Sequence, residues 1–347
     1  TKLIKLYTTQ LDKQQIVCDL LVKIGTGTTF DDVREWIARA IWYLTQNNPD
    51  TPDAQKLFST FAVVAMLVKI GNGAVSDNAR RWIATAIGNI IANSPAAQKS
   101  FSIFAVVDML VKIGNGAASD DARRWIAGAI SNLVSDNPAT QKLFSTSAVI
   151  DMLVKMGTKV GSDDARIWIA RTLYNITADN PAAQQHFNTQ DAVEMLVEMG
   201  NHTASHRIKM WIVNTIGDIC NPTRSNPTAK HLFSAPKVLR MLVNMGNRTT
   251  SDKIIKWLSR AIYHITLDNR SAKPFFSTPA GVAMLVKMGN ETGSNEASQW
   301  IATAICNITH NNPAAQQLFS RNTVVDMLVK MGNGAASDDT RWQIATA

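Results

Sequence analysis

The sequence predicts an all-α repeat solenoid, and three markers on one beat carry that expectation. Glycine recurs at Gly25, Gly71, Gly114, Gly157, Gly200, Gly246, Gly289 and Gly332, in steps of 43 with two steps of 46. Tryptophan follows the same spacing at Trp36, Trp82, Trp125, Trp168, Trp211, Trp257 and Trp300. So does phenylalanine, at Phe58, Phe101, Phe144, Phe187, Phe233, Phe276 and Phe319. A fixed period of this length marks supersecondary units that cannot bury a core alone and must stack. The 347 residues also exceed what one hydrophobic core usually supports.

Asn137 to Asp179 shows the order of elements inside one unit. Asn137-Pro138 is a capping residue followed by proline at the first helical position, so a short first helix should run through Gln141, Leu143 and Phe144. The second helix is read as Ala148 to Met156, closed by Gly157. The third opens at Ser162-Asp163-Asp164, a cap with acids where the helix dipole favours them, and continues from Ala165 to Ile176. At about 100° per residue, Ala165, Ile169, Leu173 and Ile176 form a core stripe. Trp168, Arg171, Thr172 and Asn175 form a second stripe roughly a third of a turn away. Core packing alone does not demand that second stripe.

The beat divides the chain into about eight three-helix units: 1–48, 49–94, 95–137, 138–180, 181–226, 227–269, 270–312 and a truncated 313–347. Asp50-Thr51-Pro52-Asp53 and the stretch from Asn221 to Ser225 account for the two long steps. Residues 1–24 scan as a degenerate first unit, with Leu6-Tyr7 in the place of Leu57-Phe58. Near the other end Arg341-Trp342-Gln343 puts Gln343 in the tryptophan row. No polar capping helix follows, so the expectation is a chain that continues or an end that meets another copy.

Lys+Arg of 35 against Asp+Glu of 27 gives a net charge of +8, which favours acidic partners without selecting among them. Cys18, Cys220 and Cys306 are scattered and odd in number, which reads as a reducing compartment with neither a disulfide framework nor a zinc site. No apolar run approaches the ~18 residues of a membrane span. The N-terminus lacks a signal-peptide profile. Asn-x-Ser/Thr triplets such as Asn201-His202-Thr203 are therefore read as chance matches. The expected home is the cytoplasm, with the nucleus as the alternative.

Asn137-Pro138-Ala139-Thr140-Gln141-Lys142-Leu143, Leu153-Val154-Lys155-Met156 and Ala170-Arg171-Thr172-Leu173-Tyr174-Asn175-Ile176 together resemble the armadillo repeat. The likeness extends over essentially the whole chain. It implies a right-handed superhelix whose third helices line a concave groove, with an asparagine ladder holding an extended peptide. The matching positions are Asn89, Asn132, Asn175 and Asn307. An amide suits that task because it carries both a donor and an acceptor. The chain departs from the family in three ways. The family's tryptophan stands one turn before the asparagine, where this chain has Arg39, Thr85, Gly128, Arg171, Asn214, Arg260 and Thr303. Tyr43, Asp218 and His264 interrupt the ladder. The glycine usual between the first two helices is missing, with Ser147 near its place.

Each row has a functional and a structural reading. Trp82, Trp125, Trp168, Trp211, Trp257 and Trp300 could stack ligand stems or cations, or could pack on the next third helix and support the solenoid. The asparagines could bind ligand backbone or cap neighbouring helices. Arg39, Arg171 and Arg260 make the stripe locally basic, which favours acidic or phosphorylated segments over lysine-rich ones. Asp218 and the first-turn acids Asp32, Asp121 and Asp164 oppose them. Arg80-Arg81 and Arg123-Arg124 read as a solvated face paired with Asp120 and Asp121, or as a nucleic-acid stripe. The lysines before each glycine, such as Lys112 and Lys155, suit a helix C-terminus.

Catalysis finds no support. His202 and His206 lie four apart without a carboxylate ligand pattern, and the Gly-Asn-Gly runs follow helices rather than strands. Cys306-Asn307 beside His310 reads as repeat drift. The expectation is a non-enzymatic protein-binding scaffold without cofactor or metal. The rivals are an architectural scaffold assembling through its ends or convex face and a nucleic-acid-binding solenoid.

Overall fold

A computed structural model describes residues 11–46, 51–221 and 227–347. Leu6-Tyr7, residues 47–50 of the first long junction and residues 222–226 of the second lie outside the described residues. Every regular element among the described residues is a helix. Leu11–Gly27 and Asp31–Gln46 come first. Then follow triplets of one short and two longer helices: Thr51–Phe58, Phe61–Gly73 and Asp77–Ile91; Pro95–Phe101, Phe104–Gly116 and Asp120–Val134; Pro138–Phe144, Ser147–Thr158 and Asp163–Thr177. The order continues with Pro181–Gln185, Gln190–Asn201 and His206–Ile219; Pro227–Phe233, Pro236–Arg248 and Asp252–Thr266; Lys273–Phe276, Pro279–Glu291 and Asn295–Thr309; and Pro313–Phe319, Asn322–Gly334 and Asp338–Ala345.

The chain forms two compact parts, Thr1–Ile176 and Thr177–Ala347. Inside each part, like helices stack: second helix on second helix and third on third. The expected core stripe Ala165, Ile169, Leu173 and Ile176 is fully buried. So are the first-helix residues Phe58, Phe101, Phe144, Phe187, Phe233 and Phe276, which explains why phenylalanine keeps the beat. No helix among the described residues is long and apolar enough to cross a membrane.

The Asn-Pro openings work as capped starts. Asn137, Asn180 and Asn312 accept from the backbone N–H groups of Thr140, Ala183 and Ala315. One residue ahead of Ser94, Asn137, Asn180, Asn269 and Asn312 the chain turns through one left-handed residue, at Asn93, Asp136, Asp179, Asp268 and Asn311, with φ between 52° and 56°. Asparagine and aspartate are the non-glycine residues that tolerate that region best.

The glycines do not end the second helices. Phe61–Gly73 and Phe104–Gly116 run past Gly71 and Gly114, and no glycine among the described residues has positive φ. The constraint is spatial. A Cβ on Gly71 would overlap Met109, one on Gly114 would overlap Met152, and Gly200, Gly246 and Gly289 stand in the same relation to Met241, Met284 and Met327. Each glycine lets the next repeat's second helix lay its methionine across the backbone. The lysines likewise act between repeats: Lys112 donates to the Asn72 carbonyl at 2.6 Å, Lys155 to Asn115 at 2.9 Å and Lys330 to Asn290 at 2.7 Å. Each cation therefore neutralises the C-terminal end of the preceding second helix, not its own.

Candidate functional site

Within the Thr1–Ile176 part, successive third helices are fixed to one another at their N-termini. Asp77, in the first turn, accepts from the backbone N–H groups of Ala118, at 3.0 Å, and Ser119, the cap of the next third helix. Arg80 bridges Asp77 at 3.1 Å and the Gly116 carbonyl at 2.7 Å. Asp31 with Arg34 and Asp120 with Arg123 repeat the arrangement one period before and one after. Burial alone would raise these carboxyls. The hydrogen bonds they accept outweigh it, holding Asp31 at about 2 and pushing Asp77 and Asp120 below the ordinary range. Arg80 and Arg123 are therefore not a solvated face, and Arg123 is only 6% exposed. Their guanidinium groups are spent on the neighbouring loop. The outer members pair across repeats, Arg81 with Asp121 at 2.9 Å and Arg124 with Asp164 at 3.9 Å.

Within that part the stapling aligns the second stripe of successive third helices. The six tryptophans from Trp82 to Trp300 are all half-buried. Where their contacts are clearest they rest on the preceding third helix rather than the next. Trp82 meets Trp42 with ring centroids 5.3 Å apart. Trp168 lies over Gly128, where a Cβ would sit 3.6 Å from its ring. Trp300 meets Tyr263 at 5.7 Å and His264 edge-on at 6.0 Å. Cations cover several of the rings: Arg39 and Arg81 on Trp82, Arg124 on Trp125, Arg171 on Trp168, and Lys256 and Arg260 on Trp257, all within 5.2 Å. At such distances guanidinium and ammonium groups are drawn to the ring face.

The asparagine row is anchored inward through its nitrogens. Asn89 Nδ2 donates to Thr45 Oγ1 at 2.8 Å, and that hydroxyl gives its own proton to the Ile41 carbonyl at 2.9 Å. Asn307 does the same with Thr266, whose hydroxyl donates to Ile262. Asn175 donates to Ser131 Oγ at 3.1 Å and Asn132 to the Gly88 carbonyl at 3.5 Å. These bonds through Nδ2, to which Asn175 adds a second to the Ser131 carbonyl at 3.4 Å, fix the side-chain orientation. An amide also carries an acceptor oxygen, which this anchoring does not use.

The interrupting residues take over part of that anchoring. His264 Nδ1 donates to the Gly217 carbonyl at 2.7 Å, the counterpart of the bond Asn132 makes to the Gly88 carbonyl three repeats earlier. Burial pushes this imidazole down to about 4. The Gly217 carbonyl pulls the other way, and Arg260 and Lys230 add repulsion. Asp218 pairs with Arg260 at 2.8 Å, with both side chains largely covered. Arg260 is thus neutralised, whereas Arg39 keeps 57% of its side chain exposed and only a 3.5 Å approach to Glu35. Spacing along the chain does not mark His264 as a stand-in for asparagine or Asp218 as the partner of Arg260, because both depend on which residues face each other across repeats. Asn214 is buried, with its Oδ1 lacking a hydrogen-bond partner. Among the described residues no group of three His, Cys, Asp or Glu side chains is placed to hold a metal ion.

No protein-family model matches the sequence, and no curated protein matches it. Solved structures do. An engineered protein matches 100% of this chain over 97% of its own length, with a TM-score of 0.68 at 19% identity. UNC-45 from Drosophila melanogaster matches 99% of the chain with a TM-score of 0.67 at 11% identity, and the chain spans 48% of that protein. A structure describing a conserved phosphorylation switch in the interaction between cadherin and beta-catenin matches 99% of the chain, over 80% of its own, with a TM-score of 0.58 at 11% identity. At these identities the likeness is one of fold: the chain is an all-α helical-repeat solenoid.

Proposed function

We propose that the chain is an armadillo-type, non-enzymatic scaffold that holds an extended protein segment along the third-helix stripe. The observation that carries this reading is the anchored asparagine row. Asn89, Asn132 and Asn175 stand on consecutive third helices, each pinned through Nδ2, an anchoring that does not use the amide oxygen. Amides spaced this way can accept and donate to alternate peptide groups of an extended strand. The half-buried tryptophans beside them supply rigid apolar walls. The solved structure concerned with cadherin and beta-catenin supports the reading by precedent of fold. Arg39, exposed over Trp82, favours an acidic or phosphorylated residue in the segment and places it toward the Thr1–Ile176 part.

The test is Asn132→Ala with Asn175→Ala, measured against an extended peptide selected on the wild-type protein. Loss of two ligand hydrogen bonds should weaken binding roughly 10- to 100-fold while helicity is retained. Unchanged affinity would overturn the groove reading. A second reading, assembly through the second-helix face, is favoured by Phe61 and Phe104, which are one repeat apart and 83% and 66% exposed. Phe61→Ser with Phe104→Ser should abolish any self-association seen in sedimentation if that face is used.

A further inference from the structure

The seventh repeat opens unlike the others. An earlier repeat reads Asn137-Pro138, then Gln141 three residues before the buried Phe144. The seventh reads Asn269-Arg270, then Lys273 three residues before Phe276, with proline displaced to Pro274. Without proline at the first helical position the short helix shrinks to Lys273–Phe276. The chain before it passes through turn, and a cleft of about 500 Å³ opens between the 268–274 segment and the 310–312 segment of the following junction.

The cleft is polar and predominantly cationic. Arg270, Lys273 and His310 line it, with Asp268 the single carboxylate. Lys273 donates to the His310 carbonyl at 3.1 Å. At the same position Gln55 donates to the equivalent carbonyl, that of Ala92, at 2.8 Å, and Lys230 of the sixth repeat donates to that of Leu267 at 3.3 Å, whereas Gln98 and Gln141 reach the carbonyls of Asn132 and Asn175, three residues earlier in the register. The fold therefore needs a donor at this position but not a charge. The ammonium carries two further protons to give. Burial pushes Lys273 below the ordinary lysine range, Asp268 pulls it back, and Arg270 adds repulsion. An anion seated between Arg270 and Lys273 would relieve both burial and repulsion.

We propose that this cleft binds a phosphoryl group, with Arg270 and Lys273 donating to its oxygens and the His310 imidazole at the rim. Arginine matches phosphate oxygens with a planar two-pronged fork, and lysine adds a point charge with rotatable donors. The two cations exceed the one carboxylate, and the lining includes none of the asparagine row, so the site stands whether or not the groove is used.

The experiment is calorimetric titration of the whole chain, at fixed ionic strength, with inorganic phosphate and with a short phosphoserine peptide and its unphosphorylated form. Wild type should bind phosphate saturably. Arg270→Ala with Lys273→Gln should weaken it at least tenfold with an unchanged melting temperature, since glutamine stands at this position in other repeats, as Gln55, Gln98 and Gln141 do. Lys273→Gln alone guards against loss of fold in the double variant. Asp268→Asn should tighten binding. A phosphopeptide that binds tighter than phosphate identifies a modified protein side chain as the source, and equal affinities identify free phosphate. Absence of saturable binding in wild type, or equal affinity in the double variant, overturns the proposal.

Discussion

Gly114 and His264 show how much of the stacking rests on single residues. Gly114 has no φ that requires glycine, yet a Cβ there would overlap Met152 of the next repeat. Gly114→Ala should therefore destabilise the protein by about 1–3 kcal/mol, the usual range for overpacking, although alanine is the better helix former. Denaturant midpoints check this. Met152→Ala should cost less in that background than in wild type, since it removes the atom that alanine strikes as well as leaving a cavity. His264 gives a prediction with a sign. Its folded value of about 4 lies below the ordinary 6.5, so the unfolded chain binds more protons between those values. Its neutral burial contributes fully above about pH 6.5 and is lost as pH falls toward 4. His264→Asn, which restores the ladder residue, should flatten stability across that window. An unaltered slope would show that other groups set it. The glycine beat was legible in the sequence, but its cause was not. A helix-ending glycine and a helix-crossing glycine look alike until the partner methionine is located.

At the scale of the element, the third helix owes its register to its first turn. Asp77 was legible as an acid suited to a helix N-terminus. What could not be read was that it also receives the backbone N–H groups of the following repeat, because those donors lie more than 40 residues away. The arginine pairs follow the same pattern. Spacing along one helix predicts pairing with Asp120 and Asp121, and Arg123 does meet Asp120 at 2.7 Å and Arg81 meets Asp121 at 2.9 Å, but Arg123 is buried rather than solvated because it also reaches the Lys159 carbonyl at 3.2 Å. Asp77→Asn should destabilise the junction even though it retains an acceptor, since it removes the charge facing Arg80 and two N–H groups. The carboxyl's folded value is lowered, so its contribution is complete above the ordinary carboxylate range and fades as pH falls below it. Melting curves between pH 2 and 7 should show wild type and Asp77→Asn converging at the acid end and separating toward neutrality. Parallel curves would contradict this role.

For the whole molecule, the period alone determined the fold class, because a 43-residue beat of glycine, tryptophan and phenylalanine leaves few architectures other than stacked helical repeats. The three-helix unit and its core stripe followed from capping residues and helical spacing. The candidate site was legible only as rows. The sequence placed Trp82, Trp125, Trp168 and the asparagines on one stripe, but it could not show that arginines of the chain itself cover several of the rings or that Asp218 neutralises Arg260. Those pairings are set between repeats, where sequence distance is large and spatial distance small. The central claim is that an extended segment lies along this stripe. Photo-crosslinking tests it most directly, with a selected extended peptide carrying a photoreactive residue at successive positions. The account predicts adducts that step along the third helices, beside Trp82, Trp125 and Trp168, and that disappear in Asn132→Ala with Asn175→Ala. Adducts confined to the second-helix face around Phe61 and Phe104, unaffected by those substitutions, would contradict it.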